Sequence, residues 1–405
     1  MKNKILGSAL MIAGTTIGAG MLAMPLTSAG IGFGATLILL FVLWALLLYT
    51  GLLFMEVYQA ALRKDVGVAS LAEQYFGLTG RVLATGTLLI LLYALLSAYI
   101  TGGGSLVAGL LPDLGDDNAA MQLGIVLFTL ILGAFVVIGV KSVDGLTRLM
   151  FSGKAIFFVI ILLIMLPKAS LDHLMATPLD NKLILSAVPI FFTSFGFHVI
   201  MASINTYLDA DIRRIRTAVI IGSLIPLAVY LLWQLSTHGV LSQHELLQVV
   251  QQDPTPNGLV KATYVITGSS LLGEAVRLFS AFALITSFLG VALGIFECMG
   301  DLLTRIKMPA TRPVLTFFTF VPPLIFALFY PKGFIVALGY AGLLFAFYGL
   351  ILPIGLAWRA RKLHPNLPYR VWGGNGLLLI VLLLGIVIMI IPFLIQAGLL
   401  PAVVG

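Results

Sequence analysis

Charge is what this chain has least of. Asp, Glu, Lys and Arg make up 10% of 405 residues, against 60% hydrophobic side chains, whereas a soluble domain carries about a quarter charged residues. So apolar a chain has too little polar surface to cover itself in water, and it reads as a membrane protein. The single cysteine, Cys298, lies in an apolar run and excludes an internal disulfide framework or a cysteine-rich metal site. There is no glycine-lysine phosphate loop to take ATP, no His-Glu-x-x-His helix, no Gly-x-Ser-x-Gly elbow and no metal-ligand spacing. Without those motifs no catalytic residue, metal or cofactor is assigned. The formal charge of +7 does not point to nucleic acid, because the bases are scattered through short loops and form no long tract.

What the chain does have is a succession of long apolar runs. Eleven reach the roughly 20 residues that a helix needs to cross ~30 Å of hydrocarbon. They lie near 5–29, 33–62, 81–111, 119–140, 149–167, 183–208, 216–239, 271–300, 313–330, 334–357 and 376–398. The run from Leu377 to Phe393 does not alternate as a barrel strand must. The expected fold is an all-α polytopic membrane protein with 11 transmembrane helices in a lipid bilayer. With the N-terminus inside, 18 of the 23 Lys and Arg residues fall in inner segments, Lys2, Arg63 and Lys64 among them. Only Lys168, Lys182, Lys261, Arg277 and Lys332 fall outside, which is the positive-inside bias. The outer loop from Pro112 to Asn118 carries Asp113, Asp116 and Asp117 and no base. An odd span count puts the C-terminus outside. The basic start followed by a long apolar run without a cleavage site reads as an uncleaved first span. The longest outer segment, 240–270, contains an amphipathic stretch from Glu245 to Val250. It forms either a short helix over the outer mouth or an ordinary solvated loop.

Two spans break the Leu/Ile/Phe pattern. The first reads Ala13-Gly14-Thr15-Thr16-Ile17-Gly18-Ala19-Gly20-Met21, with Pro25 after it, and the sixth reads Pro189-Ile190-Phe191-Phe192-Thr193-Ser194-Phe195-Gly196-Phe197-His198. Glycine in a helix interior costs about 1 kcal/mol, so clustered glycines favour unwinding at mid-span. Gly14-x-x-x-Gly18 is equally a pattern of tight helix crossings. The second interruption, five spans later, shifts the balance. Five is odd, so a five-span repeat re-enters the membrane inverted, and paired interrupted helices in inverted halves mark a transport site at the midplane. Such a site suits a zwitterion. A half-helix starting near Gly18 presents N–H groups to a carboxylate, half-helices ending near Gly14 and Thr193 present carbonyls to an ammonium, and Ala19 and Gly20 allow close approach. Phe192, Phe195 and Phe197 either pack as ordinary membrane aromatics or stack on an aromatic guest. In span three Tyr93 and Ser97 share a face, and Tyr99 is the alternative contact.

Ionisable side chains inside a membrane are functional suspects. His198 follows the second break and belongs to the residue type that titrates near neutrality. It is either a neutral imidazole bonded to a neighbouring helix or a partner for a guest hydroxyl. Lys154 either snorkels to the inner surface or sits in the core and carries a coupling proton. Glu56 and Glu297, toward the inner ends of spans two and eight, are structural ion-pair members or proton relays. Thr286 and Ser287 read as helix hydroxyls bonding back to the preceding turn. A channel would want a ring of like polar residues and a sensor would want a soluble output domain. The sequence has neither, though both remain the alternatives from another class.

The stretch from Ala13 to Leu26, Ala-Gly-Thr-Thr-Ile-Gly-Ala-Gly-Met-Leu-Ala-Met-Pro-Leu, resembles the first span of the hydroxy and aromatic amino acid permeases. Phe192 to His198 is similar to their sixth, and Thr286 to Gly294 and Phe326 to Pro331 also match. The resemblance covers nearly the whole chain and is nearest to the tyrosine-transporting branch. It implies a five-plus-five inverted repeat of the amino acid–polyamine–organocation type with broken helices 1 and 6. Residues 1–167 would form the first repeat (spans one to five) and 168–357 the second (spans six to ten), with a cytoplasmic loop and span eleven in 358–405. It further implies proton symport of L-tyrosine, or of tryptophan or another aromatic amino acid, across a bacterial inner (cytoplasmic) membrane. The N-terminus would be cytoplasmic and the C-terminus periplasmic, with no obligate protein partner. In some proton-coupled relatives a span-five amine occupies the place of a sodium ion, and Lys154 lies in the corresponding span.

Overall fold

The computed structural model describes residues 4–61, 66–112 and 115–403. Lys2, Arg63, Lys64 and Asp113, used above for orientation, lie outside the described residues. In chain order the helices are α1 (Lys4–Thr16), α2 (Gly20–Thr27), α3 (Gly32–Tyr58), α4 (Val68–Ala108), α5 (Asp117–Ile138), α6 (Val140–Met165), α7 (Leu171–Leu174), α8 (Lys182–Ser194) and α9 (Met201–Tyr207). They continue as α10 (Ile212–Val240), α11 (Gln243–Gln252), α12 (Pro256–Thr267), α13 (Ser270–Arg305), α14 (Arg312–Phe329), α15 (Phe334–Ala346), α16 (Leu352–Leu363) and α17 (Gly374–Gln396). A π-type turn, Phe347–Ile351, joins α15 to α16. The described residues contain no strand. Ten spans are long and apolar enough to cross a membrane, and the bent pair α1–α2 makes eleven. The all-α polytopic expectation therefore stands.

Two of the differences from expectation have a local reason. Span three was expected to start near 81, but α4 begins at Val68. An entry segment precedes Gly77, whose φ of +65° turns the chain into the span; a left-handed residue is cheap only as glycine. The outer segment after α10 is helical rather than a solvated loop. Ser242 and Glu245 form a reciprocal capping box at the start of α11, and Leu246, Val249 and Val250 are buried on its inner face. Together these satisfy the end of the helix and bury its apolar stripe. α11 packs on α2 and α12.

The outer faces of the bundle are apolar: Ile38, Leu130, Leu163 and Phe329 are all exposed, as lipid-facing residues are. The centre is different. Every residue of α2, from Gly20 to Thr27, is buried. Non-helical backbone at membrane depth is tolerated only inside protein or beside a polar cavity, and the break that precedes α2 lies against that enclosed helix.

Candidate functional site

The first span leaves the helix after Thr16 and resumes at Gly20, its halves meeting at 51°. The sixth leaves it after Ser194, crosses Phe195–Phe197, and re-enters through a single turn at His198–Ile200. The two breaks touch. A Cβ on Gly20 would sit 2.5 Å from Ser194 Oγ, and one on Gly18 would collide with Ser287 Oγ. No larger residue fits either position without displacing its neighbour.

The peptide groups at the break divide into occupied and open. The N–H of Ala19 donates to Ser287 Oγ at 3.1 Å. The carbonyl of Ile17 accepts from Lys154 Nζ at 2.6 Å. The hydroxyl of Tyr230, on α10, lies 2.6 Å from Thr16 O and 2.7 Å from Ser194 O. Among the described residues no partner takes the N–H of Gly18 or Gly20, or the carbonyl of Gly14 or Thr15. A pair of open donors beside a pair of open acceptors is what a zwitterion needs, and the N-terminal end of α2 adds the positive end of a helix dipole.

Between the breaks lies a cavity of about 80 Å³ lined by Thr15, Thr16, Gly18, Gly20, Thr193, Ser194 and Gly196, with Tyr99 and Phe345 as its aromatic walls. Sites for small molecules run to about 300–1,000 Å³, so an aromatic guest requires the walls to part. Thr15, on the α1 side, is exposed, whereas α2 is wholly buried.

Several expected residues do not reach this cavity. Gly14 points toward Phe151 of α6, 3.4 Å from where its Cβ would be, the helix-crossing role weighed above. Ala19 is buried with its N–H on Ser287. The choice between Tyr93 and Tyr99 goes to Tyr99: the Tyr93 hydroxyl donates to Phe318 O on α14, and Ser97 Oγ bonds back to Tyr93 O at 2.9 Å. The three phenylalanines are turned away. Phe192 packs on Phe345 at 5.0 Å, Phe195 edge-on against Tyr230 at 5.0 Å, and Phe197 stacks on His198 at 4.6 Å. The break presents its backbone to the cavity and its rings to the protein. The Thr193 carbonyl, expected to be open, accepts the Gly196 N–H at 3.0 Å. His198 is fully buried behind Phe345, with Nε2 2.9 Å from Thr50 Oγ1 on α3. It links two helices and does not touch the cavity.

Of the charged candidates, Lys154 does not snorkel. It is 3% exposed, because the break offers its amine a carbonyl inside the protein, and Nζ also lies 4.9 Å from the centre of the Phe151 ring. Glu56 is a structural partner. It accepts from Arg361 Nε at 2.6 Å, from Arg361 Nη2 at 2.9 Å and from the Val371 N–H at 2.8 Å. Glu297 is exposed on α13 and has no ion-pair partner among the described residues, so neither expected role fits it. Thr286 does bond back to the preceding turn, but Ser287 instead receives the Ala19 N–H. Sequence reasoning missed Tyr230 altogether. The available signal was a tyrosine three residues before Trp233 within the seventh span; Trp233 Nε1 donates to Met21 O at 2.9 Å.

The model of the tryptophan/tyrosine permease family matches residues 1–392. The chain belongs to that family. Over its full length this permease is 63% identical to tyrosine-specific transport system 2 of Haemophilus influenzae, with all of both chains covered. It is 57% identical to tyrosine-specific transport system 1 of the same organism, again with full coverage of both. A tryptophan-specific transport protein of H. influenzae is 33% identical over 94% of each chain. The expected family and the multi-pass membrane architecture are thus established for this permease, and the relatives are transport proteins.

Proposed function

We propose that this permease takes up L-tyrosine together with a proton across the bacterial inner membrane by alternating access. The substrate assignment is supported by the two tyrosine-specific relatives at 63% and 57% identity, against 33% for the tryptophan-specific one. The carboxylate takes the N–H groups of Gly18 and Gly20 at the start of α2, the ammonium takes the carbonyl of Thr15, and Tyr99 and Phe345 flank the ring.

The observation that carries the coupled mechanism is Lys154 Nζ seated on the Ile17 carbonyl. A group that gains or loses a proton there changes what the unwound strand is bonded to, one residue from the carboxylate position. A protonated amine holds Ile17 with a charge-assisted hydrogen bond, about twice as strong as a neutral one. Release of its proton weakens the tie between α6 and the first span.

Alternating access draws support from side-chain hydrogen bonds among spans one, two, six and seven. Tyr230 bridges spans one, six and seven, Ser28 and His238 join one to seven at 2.7 Å, Trp44 and Ser223 join two to seven at 3.2 Å, and Thr50 and His198 join two to six. These four move as a unit against the rest. The two breaks, five spans apart, fit inverted repeats at 1–167 and 168–357. The Lys/Arg distribution supports a cytoplasmic N-terminus and a periplasmic C-terminus. The exposed Thr15 beside a buried α2 corresponds to a site nearer the inward-facing state.

The test is labelled tyrosine uptake into proteoliposomes with an imposed pH gradient and a panel of competitors. Saturable tyrosine accumulation that follows the gradient is expected. Uptake indifferent to the gradient removes the coupling. Tryptophan displacing tyrosine at equal concentration reassigns the substrate, and uptake that does not saturate favours a channel.

A further inference from the structure

The carboxylate and ammonium positions both lie at the break in the first span, yet the cavity is lined from both breaks. Directly they pack together, Gly20 against Ser194. Tyr230 supplies a further tie. Its side chain is fully buried, its ring lies edge-on to Phe195, and its hydroxyl stands 2.6 Å and 2.7 Å from the carbonyls of Thr16 and Ser194. Those two residues are the last of α1 and α8. Terminal carbonyls of a helix have no intrahelical donor and carry the negative end of its dipole. Two such ends aimed at one point repel each other unless a proton donor lies between them.

We propose that Tyr230 is the positioning residue of the substrate site, its hydroxyl clipping the ends of the two half-helices together so that the open N–H groups of Gly18 and Gly20 face the cavity. This rests on the breaks being the tyrosine site. The phenol has one proton for two carbonyls, so the bond is shared between them. Loss of that proton frees both. Thr16, the last residue of α1, is two residues from Gly18 across the break, so freeing its carbonyl lets the intervening peptide planes turn. The consequence falls on affinity more than on fold, because phenylalanine at 230 keeps the ring and its packing on Phe195.

The experiment compares full-length wild type, Tyr230→Phe and Gly18→Leu in proteoliposomes, reading half-saturation and maximal rate of labelled tyrosine counterflow per folded molecule. Half-saturation does not depend on how much protein folds, so lower yield cannot mimic the effect. Tyr230→Phe is expected to raise half-saturation at least tenfold and to leave the maximal rate within about threefold. Gly18→Leu is expected to bind no tyrosine. Wild-type half-saturation in Tyr230→Phe, or a change confined to the maximal rate or to the number of sites, overturns the clip. If Gly18→Leu loses binding in that same experiment, the site at the breaks survives without it. Wild-type affinity in Gly18→Leu removes the site itself, and the clip with it.

Discussion

Replacing Lys154 with glutamine separates the hydrogen bond its amine makes from the proton we propose it carries. The amine is 3% exposed and donates to Ile17 O at 2.6 Å. Glutamine retains an N–H donor for that carbonyl but binds no proton. Alanine, by contrast, leaves a buried carbonyl unpaired, at about 1–3 kcal/mol, and confuses coupling with stability. One amine corresponds to one proton per tyrosine. A pH difference of one unit is then worth about 1.36 kcal/mol per proton, or about tenfold in a concentration ratio. The sign follows from the direction of travel. On the proposed coupling the amine is loaded on the acid side and unloaded on the alkaline side, so vesicles alkaline inside should accumulate tyrosine and vesicles acid inside should be depleted of it. With no membrane potential and the interior one unit more alkaline, wild type should approach about tenfold accumulation. Lys154→Gln should exchange tyrosine in counterflow yet settle at equal concentrations on the two sides. A Lys154→Gln plateau that still follows the pH gradient would refute the assignment of the proton to this amine.

Three further outcomes follow from the same contacts. Gly18→Ala should already weaken tyrosine binding, because its methyl collides with Ser287 Oγ and costs the Ala19 hydrogen bond, about 1 kcal/mol. Adding Ser287→Ala should relieve the collision, and a double variant no better than Gly18→Ala alone would argue that the methyl blocks the carboxylate instead. Glu56→Gln leaves Arg361 without its counter-ion and should lower stability by about 3–5 kcal/mol, read as a fall in thermal midpoint in detergent; an unchanged midpoint would show the pair to be idle. Thr50→Val should cost stability and leave the half-saturation for tyrosine unchanged, since His198 is outside the cavity, and a tenfold affinity loss would return His198 to the substrate.

The spans were legible because hydrocarbon imposes one rule on every residue of a run, and eleven runs obey it. The two breaks were legible for the opposite reason: the glycine cluster at Gly14–Gly20 and the lone Gly196 after Pro189 interrupt the apolar pattern at matching places. What could not be read was direction. Which way a side chain leaves a non-helical strand depends on backbone angles that no periodicity predicts. The sequence therefore leaves Phe192, Phe195 and Phe197 open between packing and the cavity, and their rings pack into the protein. Tyr230 escaped notice, and Ser287 reads from the sequence as bonding back to its own helix, because each is one hydroxyl among several in a long span. Its partner is a main-chain atom from a different part of the chain, and main-chain atoms leave no trace in residue identity. Helix α11 was half visible, its Ser242–Glu245 cap being a local signal, but whether its apolar face was covered depended on α2.

The same logic separates the two buried charges. Among the described residues Glu56 and Lys154 are the carboxylate and the amine buried within the spans. Glu56 has a bidentate arginine and a main-chain N–H, so its charge is stabilised on three sides and stays put as long as Arg361 does. Among the described residues the hydrogen bond of Lys154 is to a neutral carbonyl, and an aromatic face lies against it. An ion pair resists protonation changes because both partners must give up their attraction, whereas a charge facing only dipoles loses much less when its proton leaves. Burial in a sea of lipid-facing helices makes any charge costly. The one that persists without a counter-ion, against the strand that would hold the substrate carboxylate, is the one whose charge can depend on whether that carboxylate is there.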